Sequence, residues 1–258
     1  MIKASGILLA LASVGFSLAL SPTATPQTKS ADRFDPPLQK KVVDLGPSPY
    51  YFGVNVRVKL SCFAYPTFMV KEYGEGAKGD AIAIAPAKRG AVPECTRDAA
   101  VGQRAVEEGG YFQGAKGNLV FINAPDGTDG GLPFVVYDVT TGKKIFQDSA
   151  FQPKILGMKV EDSPFNELRI SKAQDGRMYL RYLRVVATDC DLHLKEIPCW
   201  ERTQRELELK NARMPVCSGY ASISTRWASA VAYPVEVFLF PQATTKTIAG
   251  PVKCWPVD

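Results

Sequence analysis

Phe52, Val54, Val56, Val58, Leu60 and Cys62 alternate with Gly53, Asn55, Arg57, Lys59 and Ser61, a strict period of two. Successive side chains of an extended strand point to opposite faces, so this segment can bury one row and wet the other. A helix would scatter the same apolar residues around its whole circumference. Further runs of strand type follow at 81–85, 118–123, 134–139, 144–147, 155–160, 167–171, 177–187, 230–240 and 247–255. Thr141-Gly142 and Asp175-Gly176 sit between such runs, and each supplies a residue that can take the positive φ of a tight hairpin. Pro234 lacks the N–H that a ladder needs, so its strand is expected at an edge or before a bend.

Two segments have helical character. Residues 98–108 carry Ala99, Ala100, Ala105 and Val106 ahead of Gly109, a fitting C-terminal cap. Residues 196–211 are rich in Glu, Arg and Leu, with Pro198 tolerable only in a first turn. The expected class is all-β: an antiparallel sandwich or irregular hairpin-rich sheet with one or two short helices, stapled by disulfides. An alternative comes from an internal echo. Tyr73 to Ile84 and Tyr111 to Ile122 both run from an aromatic through a Gly-Ala-Lys-Gly stretch into a strand-like run. Their 38-residue spacing is close to the period of a propeller blade, and Tyr137-Asp138 to Gly142-Lys143 resembles a blade's penultimate hairpin, so a small propeller is the second architecture.

Residues 1–21 have the layout of a secretory signal. Lys3 precedes a mostly apolar stretch from Ile7 to Leu20, then Ser21-Pro22-Thr23. The stretch is short for a bilayer-spanning helix. Residues 22–48, with five prolines and several Thr and Ser, are expected to form a spacer, and 49–258 a single β-rich domain. Export, to a secreted or periplasmic location, places the fold where disulfides persist.

Six cysteines remain, Cys62, Cys95, Cys190, Cys199, Cys217 and Cys254. Bridges that staple locally formed hairpins would pair them in sequence: Cys62–Cys95, Cys190–Cys199 and Cys217–Cys254. The competing use is a zinc site of Cys190, His193, Cys199 and Cys217, whose spacing matches no zinc finger or ribbon.

Hydrophobic residues at 46% and charged ones at 22% describe a globular chain, and the formal charge of +5 is too small and dispersed for a nucleic-acid partner. The Gly-Ala-Lys-Gly turns do not make a phosphate loop: Asp80 and Asn118 follow the second Gly of each copy, where Lys and then Ser or Thr are needed, and strands follow instead of helices. There is no Gly-x-Ser-x-Gly elbow, and His193 is the only histidine, with no nucleophile beside it. Glu201, Glu206 and Glu208 could serve a carboxylate mechanism, but a solvated helix face accounts for them.

The loop from Asn123 to Gly131 offers Asp126 and Asp129 as oxygen ligands for calcium, without EF-hand spacing or a closing Glu. No other cofactor is indicated. Tyr50-Tyr51-Phe52, Trp200, Trp227 and Trp255 could build a binding platform, although Trp200 and Trp255 each follow a cysteine and suit packing over a bridge. The functional expectation is a binding or structural module of the cell envelope or extracellular space, recognising a protein or glycan, rather than an enzyme. A secreted glycosidase-like hydrolase acting on cell-wall or extracellular polymers is the alternative.

Overall fold

The computed structural model describes residues 34–49, 55–74, 79–87, 91–107, 109–127, 129–152, 168–173, 177–219 and 228–257. The first 21 residues, the 155–160 run, the Asp175-Gly176 turn, Tyr50 to Phe52 and Trp227 lie outside them.

The described residues are mostly β and antiparallel, with one α-helix among them. Five strands form the smaller sheet in simple succession: β1 (Gln39–Pro47), β2 (Arg57–Ala64), β3 (Phe68–Gly74), β4 (Ala81–Pro86) and the short β5 (Arg104–Ala105). The larger sheet has nine strands. Along its main path lie β6 (Tyr111–Lys116), β7 (Leu119–Asn123), β8 (Gly131–Asp138), β9 (Lys143–Phe151), β11 (Met178–Ala187), β12 (Ala228–Phe238) and β13 (Thr244–Thr247). Two strands join from the side: β10 (Arg169–Lys172) pairs with β11, and β14 (Lys253–Val257) with β12.

The two sheets pack face to face. Phe68, Val70, Ile82 and Ile84 of the smaller sheet meet Ala115, Val120, Ile122 and Tyr137 of the larger in one buried cluster. Phe63 and Phe112 close that layer with ring centroids 4.7 Å apart. The period of two in β7 then divides the strand: Val120 and Ile122 face the smaller sheet, while Leu119 and Phe121 enter a second cluster on the opposite face. That opposite face also buries Leu180, Tyr182, Val231, Tyr233, Val235 and Val237, and the helix α1 (Ile197–Glu206) lies on it through Cys199 and Trp200.

The six cysteines pair in sequence order, Cys62–Cys95, Cys190–Cys199 and Cys217–Cys254. The first ties the 92–98 loop to the smaller sheet; the other two tie α1 and the 212–219 segment to the larger. With all of these sulfurs bonded to one another, the zinc alternative at Cys190, His193, Cys199 and Cys217 is ruled out, and His193 sits exposed on a short 3-10 turn.

Several expectations need correction. The second half of the 22–48 spacer is built into the fold: residues 39–47 are β1, and Phe34 packs on Phe121 at 5.2 Å. Asp35 accepts from Lys116 Nζ and from the Gly117 N–H, each at 2.7 Å. Gly114 allows that docking, because a Cβ there would stand 2.4 Å from the Phe34 ring.

The helix expected at 98–108 is absent. Gly102 adopts φ +80° against Pro86, and Ala105 pairs with Ala83 of β4, so the sheet edge captures residues whose propensity is helical. The 247–255 run is split between β13 and β14, with Gly250-Pro251 in the break. Helix α1 ends at Glu206, five residues before Asn211, as Glu208 turns to φ +54°.

The echoed segments fall in different sheets as β3–β4 and β6–β7, and no four-stranded blades form, so the propeller alternative is set aside. The two hairpins also differ in build. Lys116 opposes Leu119 across a two-residue turn, whereas Tyr73 opposes Ala81 across a longer loop.

Pro234 lies in β12, between two other strands, yet the edge expectation holds locally. Its outer partner is β14 up to Ala232 and β13 from Val235, so Pro234 falls in the gap between them. The Pro234 carbonyl accepts from the Ile248 N–H on that outer side. In an antiparallel ladder a residue's N and C=O point the same way, so the missing N–H faces the gap and no bond to β11 is lost.

Candidate functional site

The far end of the larger sheet, from β10 to β13, presents an ordered polar face. Ile170, Leu180 and Val237 lie side by side and are buried toward α1. Their neighbours one residue along must therefore point outward. Register sets them in two rows. Arg169, Arg181, Glu236 and Lys246 oppose one another across the four strands, and Ser171, Tyr179, Phe238 and Thr244 form the next row.

Tyr179 and Phe238 are half-buried, with ring centroids 6.0 Å apart and planes at 45°. The guanidinium of Arg181 lies 5.0 Å from the Tyr179 centroid, and that of Arg177 lies 5.2 Å from the Phe238 centroid. Arg181 also holds Glu236, with Nε donating to Oε2 at 2.6 Å. Among the described residues neither Arg169 nor Lys246 has an ion-pair partner, and both are exposed. Among the described residues the face thus carries four cations and one carboxylate, with two aromatic rings between them.

On the other side of the same sheet lies a buried network. Tyr182 donates its hydroxyl proton to Asp148 Oδ2, and Arg184 Nε donates to both carboxylate oxygens, at 2.9 and 2.7 Å. Burial, reinforced by the Asp148 charge, pushes the Tyr182 phenol well above its ordinary value. Burial also raises Tyr233, which the neighbouring Arg184 partly offsets. These groups satisfy one another within the layer beneath α1 and are structural.

The clefts are elsewhere. One of about 410 Å³ lies beside the Cys62–Cys95 bridge, between Gln39, Lys41 and Met69 on one side and Val92 to Thr96 on the other. Lys71 is buried next to that bridge, where its Nζ donates to the carbonyls of Thr96 at 3.0 Å and Asp98 at 2.8 Å. Desolvation lowers its pKa, against a smaller opposing pull from Asp98. A shallower cleft of about 460 Å³ runs along the end of α1, past Glu201 and Glu208.

The residues expected to carry chemistry are dispersed. Glu201, Glu206 and Glu208 are exposed. Asp126 and Asp129 are both exposed, and the Asp129 carbonyl accepts from Trp255 Nε1 at 2.8 Å, so this loop anchors a core tryptophan. No group of three or more His, Cys, Asp or Glu gathers to hold a metal among the described residues.

Trp200 and Trp255 are buried, which removes both from the expected platform. Trp200 shares its cluster with Cys199 and Cys254, as packing over bridges implies, while Trp255 packs on Phe151 at 5.2 Å. The carboxylate that burial does raise is Glu72, with nearby Asp80 adding to the effect. Its Oε1 accepts from the Phe112 N–H at 2.8 Å and so pins one sheet to the other.

The outward rows escaped the sequence reading because their members, mostly ordinary polar residues, lie on four separate strands. The usable signal was alternation in 177–187, where Tyr179 and Arg181 fall opposite Leu180 and Tyr182. Comparison with protein-family models gives no match, and neither the curated proteins nor the solved structures give one. No helix among the described residues is long and apolar enough to cross a membrane.

Proposed function

We propose that the chain is an exported, disulfide-stapled binding or structural module of the cell envelope or extracellular space. The observation that carries this reading is the outward face of β10–β13, with Tyr179 and Phe238 set among Arg169, Arg177, Arg181 and Lys246. Half-exposed rings flanked by cations suit recognition of an extended partner over a surface. The apolar segment 7–20 and the three bridges support export. A second reading, a glycosidase-like hydrolase, draws on the raised carboxyl of Glu72 beside Asp80. It is the weaker, because Glu72 is engaged between the sheets.

Two measurements test the proposal. Mass spectrometry of protein from the extracytoplasmic fraction should show a chain beginning between residues 21 and 31, and an intact Met1 there would contradict export. Incubation with insoluble envelope polymers should sediment the protein and release no soluble fragment. Release of reducing sugar ends would replace the module with the hydrolase.

A further inference from the structure

We infer that the outward face of β10–β13 is a binding surface for an acidic polysaccharide, one whose pyranose rings carry carboxylates. The inference rests on the binding-module reading above and goes beyond it by naming the ligand chemistry and the residues. Three features converge.

The first is charge. Arg169 and Lys246 stand at opposite ends of one cross-strand row, and neither has an ion-pair partner among the described residues. Arg181, between them, is already committed to Glu236. Two cations with no ion pair among the described residues can meet the carboxylates of a ligand, and an arginine fork matches a carboxylate closely.

The second is ring chemistry. Tyr179 and Phe238 stand in the row alongside, each with a guanidinium stacked on its ring, and the C–H groups of a sugar can pack on the ring surface left exposed while its carboxylate reaches the charged row. Thr244, exposed at one end of the aromatic row, adds a hydroxyl for sugar hydroxyls.

The third is spacing. Neighbouring strands lie about 4.8 Å apart, close to the length of one pyranose ring, so a polymer laid across the strands meets a fresh row member with each sugar. A compact anion would engage one end of the row, whereas a polyanionic chain spans it.

The test uses the full chain without its first 21 residues and with its bridges intact. The probes are polygalacturonate, neutral dextran and a single-stranded oligothymidine, each followed by titration calorimetry. Polygalacturonate should bind at least about tenfold more tightly than dextran, and its affinity should fall steeply between about 50 and 200 mM salt, as screening of exposed charge requires.

Arg169→Gln with Lys246→Gln should weaken polygalacturonate binding about tenfold and flatten the salt dependence. Thr244→Glu, which sets a carboxylate beside Phe238, should weaken it comparably through repulsion. All three positions are exposed, and circular dichroism melts should match wild type. Lys40→Gln with Lys41→Gln, on β1 of the other sheet, should change binding less than twofold.

The inference is overturned if the face variants bind as wild type does, or if dextran binds as well as polygalacturonate. It is also overturned if oligothymidine binds more tightly, which would make the face a nucleic-acid surface. Shortening of polygalacturonate chains, read by reducing ends, would instead bring down the module reading itself, whatever the affinities.

Discussion

Lys71 and Asp148 show two ways of placing a charge inside a β-protein. Lys71 is fully buried and satisfies its ammonium with two backbone carbonyls. Asp148 is held by the Tyr182 hydroxyl and the Arg184 guanidinium. Replacing Asp148 with Ala would strand both donors under α1, and urea denaturation should report a loss of about 3 kcal/mol. That is the low end for a broken buried pair, because the Arg184 side chain keeps 27% of its surface in water.

The tyrosines set an alkaline limit. Burial pushes the Tyr65 phenol up to about 12 and raises Tyr182 and Tyr233 as well. Unfolded tyrosines ionise near 10. Above that pH the unfolded chain has shed protons that the folded chain keeps, so stability present below about pH 10 declines as pH climbs toward about 12. Lys71, shifted down, acts in the opposite sense only below its ordinary value of 10.5. The denaturant midpoint should therefore drop through this window, and Tyr65→Phe should make the drop shallower. A midpoint that stays constant would contradict the assignment. At the Asp126–Asp129 loop, the melting temperature should be the same in chelator and in millimolar calcium, since both carboxylates are exposed and the Asp129 carbonyl serves Trp255. A calcium-dependent rise abolished by Asp126→Asn with Asp129→Asn would establish the loop as a site.

Among the elements, β1 is the long edge of the smaller sheet, and its sequence tempers the hazard of an open ladder. Lys40 and Lys41 sit within it, and a register shift between Asp44 and Gly46 bends its end away from flat pairing. The β8–β9 hairpin depends on Gly142 at φ +68°, a conformation that costs other residues roughly 1 kcal/mol. A Cβ there would also displace the end of the flexible Arg104 side chain. Gly142→Ala should lower stability by about 1 kcal/mol, and an unchanged midpoint would mean that the turn relaxes freely.

The β8–β9 hairpin was legible in the sequence because a positive-φ residue between strand-like runs leaves few other conformations. β3 was not legible: Phe68, Met69, Val70 and Lys71 are all buried in succession, so the strand has no wet face and no period of two. The 98–108 segment misled because alanine favours a helix in isolation, while β4 offered an unfilled edge. The candidate face was half legible, from the alternation of Tyr179 and Arg181 alone.

The described residues form two packed sheets, with one bridge on the smaller and two on the larger. In the chain-entropy account, closing separations of 33 and 37 residues contributes roughly 3–4 kcal/mol each, and closing one of 9 about 2.5 kcal/mol. Cys62→Ser with Cys95→Ser should therefore destabilise more than Cys190→Ser with Cys199→Ser, measured by urea midpoints under non-reducing conditions. The reverse order would show that tethering α1 to the larger sheet matters more than loop length. Thiol labelling of the denatured, unreduced protein should yield no adducts.

The sequence by itself determined what depends on near neighbours along the chain. Alternation marked β2 and β11, apolar runs between turn signals marked β4, β7, β8 and β12, Gly142 set the tight hairpin and Pro198 the start of α1, since each acts within one element or one loop. Six cysteines allowed 15 pairings, of which the fold chose the sequential one. Only the tertiary structure decided which distant strands lie side by side, because pairing is chosen by the burial of whole faces. That choice sets β1 against β2, hides Lys71 under the carbonyls of a loop 25 residues away, and aligns Arg169, Arg181, Glu236 and Lys246 in a single row.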